Sequence, residues 1–273
     1  MAKQSKAKDI IEIFDNPITF VETINKRERN KASIEADCEK SKETGEHAVK
    51  FRGTKTYEEA TNLFYTGVEN DIKLLDEQIK INMQNYDQKT ISRYNFDYVG
   101  GGYSLGRYLS NCPSCMVRRA KVKREKPTIS IMYNCGVDCD IKKNEILKVN
   151  SRFLSAIKII EQKGIKVNLF VLCGARHYTQ NLILVVKVKD AAIPINLATM
   201  SYILIHPSFD RRHVFRWMET VEGVKEFDTG YGYVVSNSTA KNVLDEFDQN
   251  KFISFYDIQN LDLQQTIDTI CEH

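Results

Sequence analysis

Thr128 to Glu145 reads TISIMYNCGVDCDIKKNE, an apolar run that ends in a polar turn carrying Asn134, Cys135, Gly136, Asp138, Cys139 and Asp140. Asn134, Asp138 and Asp140 are hard oxygen donors of the kind a Mg²⁺ ion takes. A plainer use of the same residues is a bend, with Gly136 permitting a tight turn and Asp138 or Asp140 capping the helix that follows. No cofactor is assigned on this pattern; Mg²⁺ at a degenerate site is the alternative.

Three other groups could do chemistry. Cys112 and Cys115 in NCPSCM form a Cys-x-x-Cys pair. A zinc site wants a second such pair or histidines at suitable spacing, and Cys173 and His177 are the distant candidates. Cys135 and Cys139 lack that spacing and read as structural thiols, although a thiol near a helix start can have a depressed pKa. The densest polar cluster is HPSFDRRHVF, from His206 to Phe215. His206, Arg211, Arg212 and Arg216 are its candidate partner- or phosphate-binding residues, because guanidinium groups match the geometry of phosphate and carboxylate. The bland alternative puts Phe209, His213 and Trp217 in the core and the arginines in surface ion pairs. Finally, RRAKVKREK holds six cations and one anion: Arg118, Arg119, Lys121, Lys123, Arg124 and Lys126 against Glu125. Clustered cations of this kind grip nucleic-acid phosphates, while the same run also suits a solvated linker. Gly100 to Gly102 lack the Lys-Ser/Thr of a phosphate loop. No nucleophile–base triad can be proposed, so no catalytic residue is assigned and an enzyme is not the leading expectation.

Bulk properties narrow the field. A chain of 273 residues with 42% hydrophobic and 27% charged residues can bury a large core and is not disordered as a whole. The net charge of +3 does not by itself identify a nucleic-acid binder. Apolar runs such as LILVVKV are too short to span a membrane, so no membrane partner is expected. The basic N-terminus has no apolar stretch behind it, and secretion by a signal peptide is not expected.

The elements that must position these residues follow from periodicity. Residues 1–50 read as a charged helical arm, with a helix starting at Asn16-Pro17 and a polar stretch from Lys26 to His47. Residues 51–126 form a helical and loop-rich region, opened by Thr56 and Glu59 at capping-box spacing. Residues 127–273 form the α/β domain. There Ile146, Val149, Phe153, Ile157 and Ile160 mark a long amphipathic helix between the apolar strand that opens at Thr128 and a strand at 165–173. Further strands are expected at 181–189, 231–235 and 252–255, with helices at 197–205, 209–221, 239–247 and 263–271. Strand, helix and strand in this order make a parallel βαβ unit. The fold class is therefore α/β, an open, mainly parallel three-layer sheet of Rossmann-like kind with an N-terminal helical region. Ligands of such sheets sit beyond the carboxyl ends of the strands, where the opening turn lies.

Two resemblances add to this. FRGTKTYEEATNLFYTGV, the GYSLGRYLSNCPSCM loop leading into the Asn134-x-Gly136-x-Asp138 turn, and HPSFDRRHVF together resemble a family of uncharacterised tailed-bacteriophage proteins over about Phe51 to Glu219. The strand, turn and helix also resemble the von Willebrand factor A-type domain, whose turn is Asp-x-Ser-x-Ser. Here Asn134, Gly136 and Asp138 take those three places, so one carboxylate has become an amide and one hydroxyl is gone. The resemblances imply a phage-encoded, non-enzymatic interaction or assembly protein that acts in the host cytoplasm or the virion. It would bind a protein partner, from phage or host, at the carboxyl edge of the sheet. Nucleic-acid binding through 118–126 in phage genome handling is the alternative.

Overall fold

The computed structural model describes residues 9–36, 39–86, 94–99, 101–119, 127–138, 140–177, 180–224, 227, 230–244 and 250–271. The chain divides into two compact units, Met1–Asn85 with Pro127–His273, and Tyr86–Lys126.

The larger unit begins with β1 (Ile10–Phe14), α1 (Pro17–Lys26), α2 (Lys31–Glu35), a 3₁₀ turn (Lys40–Lys42), α3 (Glu46–Arg52), α4 (Tyr57–Thr66) and α5 (Glu69–Gln84). The smaller unit holds β2 (Tyr94–Asp97), β3 (Gly102–Tyr103), α6 (Leu105–Leu109) and β4 (Met116–Arg119). The larger unit resumes with β5 (Thr128–Asn134), α7 (Lys143–Gln162), β6 (Lys166–His177), β7 (Gln180–Lys189) and α8 (Leu197–Leu204). A π-helical turn (Phe209–Val214) runs into α9 (Phe215–Thr220). The described chain closes with β8 (Tyr233–Val234), α10 (Asn237–Leu244), β9 (Asn250–Ser254), α11 (Phe255–Ile258) and α12 (Leu263–Cys271).

The described strands of the larger unit form a six-stranded sheet in the order β1-β7-β6-β5-β9, with β8 also pairing β6. β5 is parallel to both β6 and β9, and β1 is parallel to β7; the β6–β7 hairpin and the β6–β8 pair are antiparallel. The protein is thus a mixed α/β fold on a mainly parallel sheet. Ile131, Met132, Tyr133 and Asn134 are consecutive and all buried. Since side chains alternate between faces of a strand, β5 is covered on both. On one side Met132 packs with Leu172, Ile183, Val185, Val235 and Ala240. Tyr133 stacks on Phe153 of α7 with ring centroids 4.3 Å apart, and its hydroxyl donates to Asn150 Oδ1 at 2.6 Å.

The N-terminal region departs from the helical expectation in one respect. Ile10 to Phe14 pair in register with Leu182 to Val186, so the arm contributes an edge strand before its first helix. The run IIEIF is too short and too apolar to read as helix once a sheet edge is available. Asn16 caps α1 as expected, accepting from the Thr19 N–H at 2.8 Å with Pro17 in the first turn. Thr56 caps α4 in the same way at 3.0 Å. The polar stretch after α1 is not solvated throughout: Ala32, Ser33 and Ser41 are buried.

Candidate functional site

The carboxyl ends of β5 and β9 are neighbours, with Asn134 opposite Ser254 in the ladder. Asn134 is buried, its Nδ2 donating to Asn237 Oδ1 at 3.2 Å and its Oδ1 accepting from the Gly136 N–H at 3.2 Å. Asn237 passes a hydrogen bond to Ser254 Oγ at 3.0 Å, and Ser254 closes a capping box with Asp257 on α11. Gly136 is needed for space, because a Cβ there would stand 2.7 Å from Val234 Cγ1.

Asp138 does not cap α7. Its carboxylate accepts from the Tyr256 hydroxyl at 2.8 Å, and its N–H donates to the same oxygen at 3.0 Å. The N-cap position is Lys142, which makes no side-chain cap bond. Asp140 is exposed, and Cys139 lies outside the described residues. Asn134 and Asp138 therefore have different partners. The donors gathered around Asn134 are neutral amides and a hydroxyl, already bonded to one another. That chemistry suits a closed hydrogen-bond chain and does not fit a divalent cation, which wants carboxylates. Among the described residues no three His, Cys, Asp or Glu side chains are grouped so as to hold a metal.

A cleft of about 260 Å³ opens beside this turn, beyond the carboxyl end of β5. Its apolar lining includes Phe51, Val137, Ile141 and Ile146, and Cys135 faces it. Lys50, Lys143 and Arg211 contribute three cations to the wall against the single carboxylate of Asp210. Lys143, in the first turn of α7, pairs with the buried Asp71 at 2.7 Å. Arg211 lies over the Phe51 ring at 4.2 Å and donates to the Phe51 carbonyl at 2.5 Å.

The HPSFDRRHVF cluster is split between this cleft and the interior. His206 lines the cleft but is largely buried, and burial, reinforced by the charge of Lys143, lowers its pKa from 6.5 to about 4. Its ring stacks on Tyr202, and its Nδ1 accepts from the Ser208 N–H at 3.3 Å. Arg212 is fully buried and spends its donors on backbone carbonyls of the N-terminal segment. Arg216 is also buried, donating to the Arg27 carbonyl at 3.1 Å and lying 3.8 Å from the buried Glu219 carboxylate. Glu219 accepts from Ser41 and from the Tyr231 hydroxyl; burial raises its pKa. Of the four predicted residues, His206 and Arg211 line this cleft; Arg212 and Arg216 are buried and hold the fold, which also corrects the expectation of surface ion pairs.

The smaller unit is a three-stranded antiparallel sheet in the order β2-β4-β3. Its Cys-x-x-Cys loop is ordered around Arg107, whose NH2 donates to Cys112 Sγ at 3.1 Å and Ser114 Oγ at 3.2 Å. Hydrogen bonds from Ser114 and Arg107 lower the Cys112 pKa. Tyr98, Tyr103, Leu105, Tyr108 and Leu109 are all exposed on this unit. Arg118 and Arg119 belong to β4 by their backbone; their side chains, and Lys121, Lys123, Arg124 and Lys126, lie outside the described residues.

Asn237, Ser254 and Tyr256 complete the turn and were not singled out from the sequence, and Cys173 was named there only as a distant partner for the Cys112/Cys115 pair. Ser254 ends a strand that periodicity does locate, so the rule that places ligands at strand carboxyl ends could have found it, whereas Cys173 lies inside β6. Nothing in the spacing of Asn237 or Tyr256 marks them.

Fold and site together define a mixed α/β protein with a cation-walled cleft at the carboxyl edge of its sheet. The chain belongs to the family described as a domain of unknown function, DUF7192, whose model matches residues 4–268. That match runs well beyond the Phe51–Glu219 stretch at both ends. No curated protein matches the chain, and no solved structure does. Among the described residues no helix is long and apolar enough to cross a membrane.

Proposed function

We propose that the protein is a non-enzymatic interaction module that receives an acidic segment of a protein partner in the cleft beyond β5. The observation that carries this reading is the cleft itself, lined by apolar side chains together with Lys50, Arg211 and the Asp71-paired Lys143 against one carboxylate, Asp210. An apolar lining supplies burial and convergent cations supply orientation and choice of partner. The von Willebrand A-like, three-layer form of the sheet belongs to the same proposal. It is supported by an interior β5, next to the edge strand β9, that is flanked by parallel neighbours and followed by a polar turn and a 20-residue helix. The resemblance to tailed-bacteriophage proteins makes a phage or host protein in the infected cytoplasm, or in the virion, the partner to seek. The test is affinity capture with the full chain carrying Lys50→Glu and Val137→Arg. Lys166→Glu, at the opposite end of the sheet, is the control. The cleft variant is expected to lose a partner that the wild type and the control retain, with all three proteins melting alike. Identical captured sets would overturn the reading.

A second reading attaches to the smaller unit. Its exposed Tyr98, Tyr103 and Tyr108 precede the basic run 118–126 in sequence, and aromatic faces with clustered cations are the means by which single-stranded nucleic acid is held. Binding to an oligonucleotide of mixed sequence should weaken steeply as salt rises. Replacing Lys121, Lys123 and Arg124 together by Glu should abolish it, with Tyr103→Ala weakening it independently. Absent or salt-insensitive binding removes this alternative.

A further inference from the structure

Cys135 immediately follows β5 and Cys173 lies within β6; their sulfur atoms stand 3.0 Å apart, and both are free thiols. The ladder explains the approach. Asn134 is in register with Leu172, which makes Cys135 and Cys173 the next cross-strand pair. The Cys135 N–H also donates to the Leu172 carbonyl at 3.2 Å, so the backbone is tied at this point. Neighbouring strands run about 4.8 Å apart, within the roughly 4.4–6.8 Å between Cα atoms that a disulfide spans.

The two thiols differ in access. Cys135 is half-buried and lines the cleft, whereas Cys173 is buried and does not line it. The Cys173 thiol is held protonated, first by its hydrogen bond with Cys135 and then by burial. A reagent entering the cleft meets Cys135, and among the described residues the sulfur in contact with Cys135 is that of Cys173.

We propose that Cys135 and Cys173 form a reversible disulfide by exchange with a small-molecule disulfide that enters through the cleft. Cys135, as the thiolate, attacks one sulfur of the reagent. A bond forms between Cys135 Sγ and that sulfur, the reagent's own S–S bond breaks, and the departing thiolate takes up the proton Cys135 has lost. Cys173 then gives up its proton and attacks Cys135 Sγ, which breaks the mixed disulfide. The second small-molecule thiolate leaves and is protonated in turn. Two protein thiols are oxidised by two electrons, and one disulfide is reduced to two thiols; excess thiol drives the sequence backwards. Accessible disulfides are the labile, regulatory kind, and this one would open onto the cleft through Cys135. This step does not depend on the cleft's binding a protein partner.

The test uses the full chain, folded, incubated with oxidised glutathione. The remaining thiols are then blocked by alkylation and the digest is read by mass spectrometry. The expected product is a peptide pair linked through Cys135 and Cys173, lost when reduced glutathione is added in excess. Cys173→Ala should instead accumulate Cys135 carrying one glutathionyl group, and Cys135→Ser should leave Cys173 reduced. The proposal is overturned if Cys135 in the wild type stays unmodified. It is equally overturned if Cys135 stops at the mixed disulfide, or if it links to Cys139, four residues along the chain.

Discussion

Arg212→Met is expected to destabilise the protein by about 3–5 kcal/mol, the range for removing one partner from a buried charged hydrogen-bond network. The side chain is fully buried. Its NH1 donates to the carbonyls of Ser41 and Glu43, both at 2.7 Å. Its NH2 donates to the Thr54 carbonyl at 2.7 Å, and its Nε to Thr54 Oγ1 at 3.2 Å. Ser208 reinforces the junction by donating to the Arg52 carbonyl at 2.5 Å. One guanidinium therefore ties the π-helical turn to the segment between the 3₁₀ turn and α4. Methionine fills much of the volume but leaves three carbonyls without their donor. Arg212→Lys should recover only part of the loss, because an ammonium cannot present the planar fork that reaches three carbonyls at once. Arg211→Met is the internal comparison: it loses a stacking contact and one hydrogen bond at a half-buried position, and should cost about 1 kcal/mol. Urea denaturation of the three variants measures the order. A loss near 1 kcal/mol for Arg212→Met would show that the network does not hold the N-terminal segment.

That contrast marks the limit of what the sequence discloses. Arg211 and Arg212 are adjacent and chemically identical, and in a regular helix they would point about 100° apart. Which one turns inward depends on the π-helical turn and on backbone carbonyls more than 150 residues away. No local pattern carries that information. Where local rules do suffice, the reading holds. The amphipathic spacing from Ile146 to Ile160 gives α7, Asn16-Pro17 gives the start of α1, and Leu263–Cys271 is helical as periodicity requires. β1 escaped because five residues at a sheet edge are specified by the strand they pair with, Leu182–Val186, and not by themselves. The opening turn shows the same division. The βαβ order places Asn134 at the ligand-prone edge, but only the sheet brings Asn237, Ser254 and Tyr256 against the turn. Those contacts convert a plausible oxygen-donor set into a closed polar chain. The cation-walled cleft lay equally out of reach, since Lys50, Lys143 and Arg211 come from three separate segments.

Acid should unfold the protein through two buried histidines. His213 is fully buried among Tyr57, Phe64 and Tyr202, with Nδ1 2.8 Å from the Tyr202 hydroxyl and Nε2 3.4 Å from Thr61 Oγ1. Burial, with repulsion from Arg212, lowers its pKa from 6.5 to about 3, and His206 falls to about 4. Both folded-state values lie below the unfolded one. The stability each contributes is therefore complete above pH 6.5 and is lost as pH falls toward the folded value. Each histidine should give a slope of about 1.4 kcal/mol per pH unit. Between pH 6.5 and 5 carboxylates of ordinary pKa stay ionised, so the histidines supply the destabilising part of the slope there. Glu219 and Asp210 act in the opposite sense, since burial raises their pKa values and their protonation favours the folded chain as pH falls. For His213 the full span from 6.5 to about 3 is worth about 5 kcal/mol, comparable with the whole stability of many domains. Urea denaturation at a series of pH values should give a slope of nearly two protons in the wild type and about one in His213→Gln or His206→Gln. An unchanged slope in both variants would mean that neither ring is held neutral by the fold. The burial of the HPSFDRRHVF cluster would then have to be revised, because a histidine that protonates freely cannot sit closed among three aromatic rings beside a buried guanidinium.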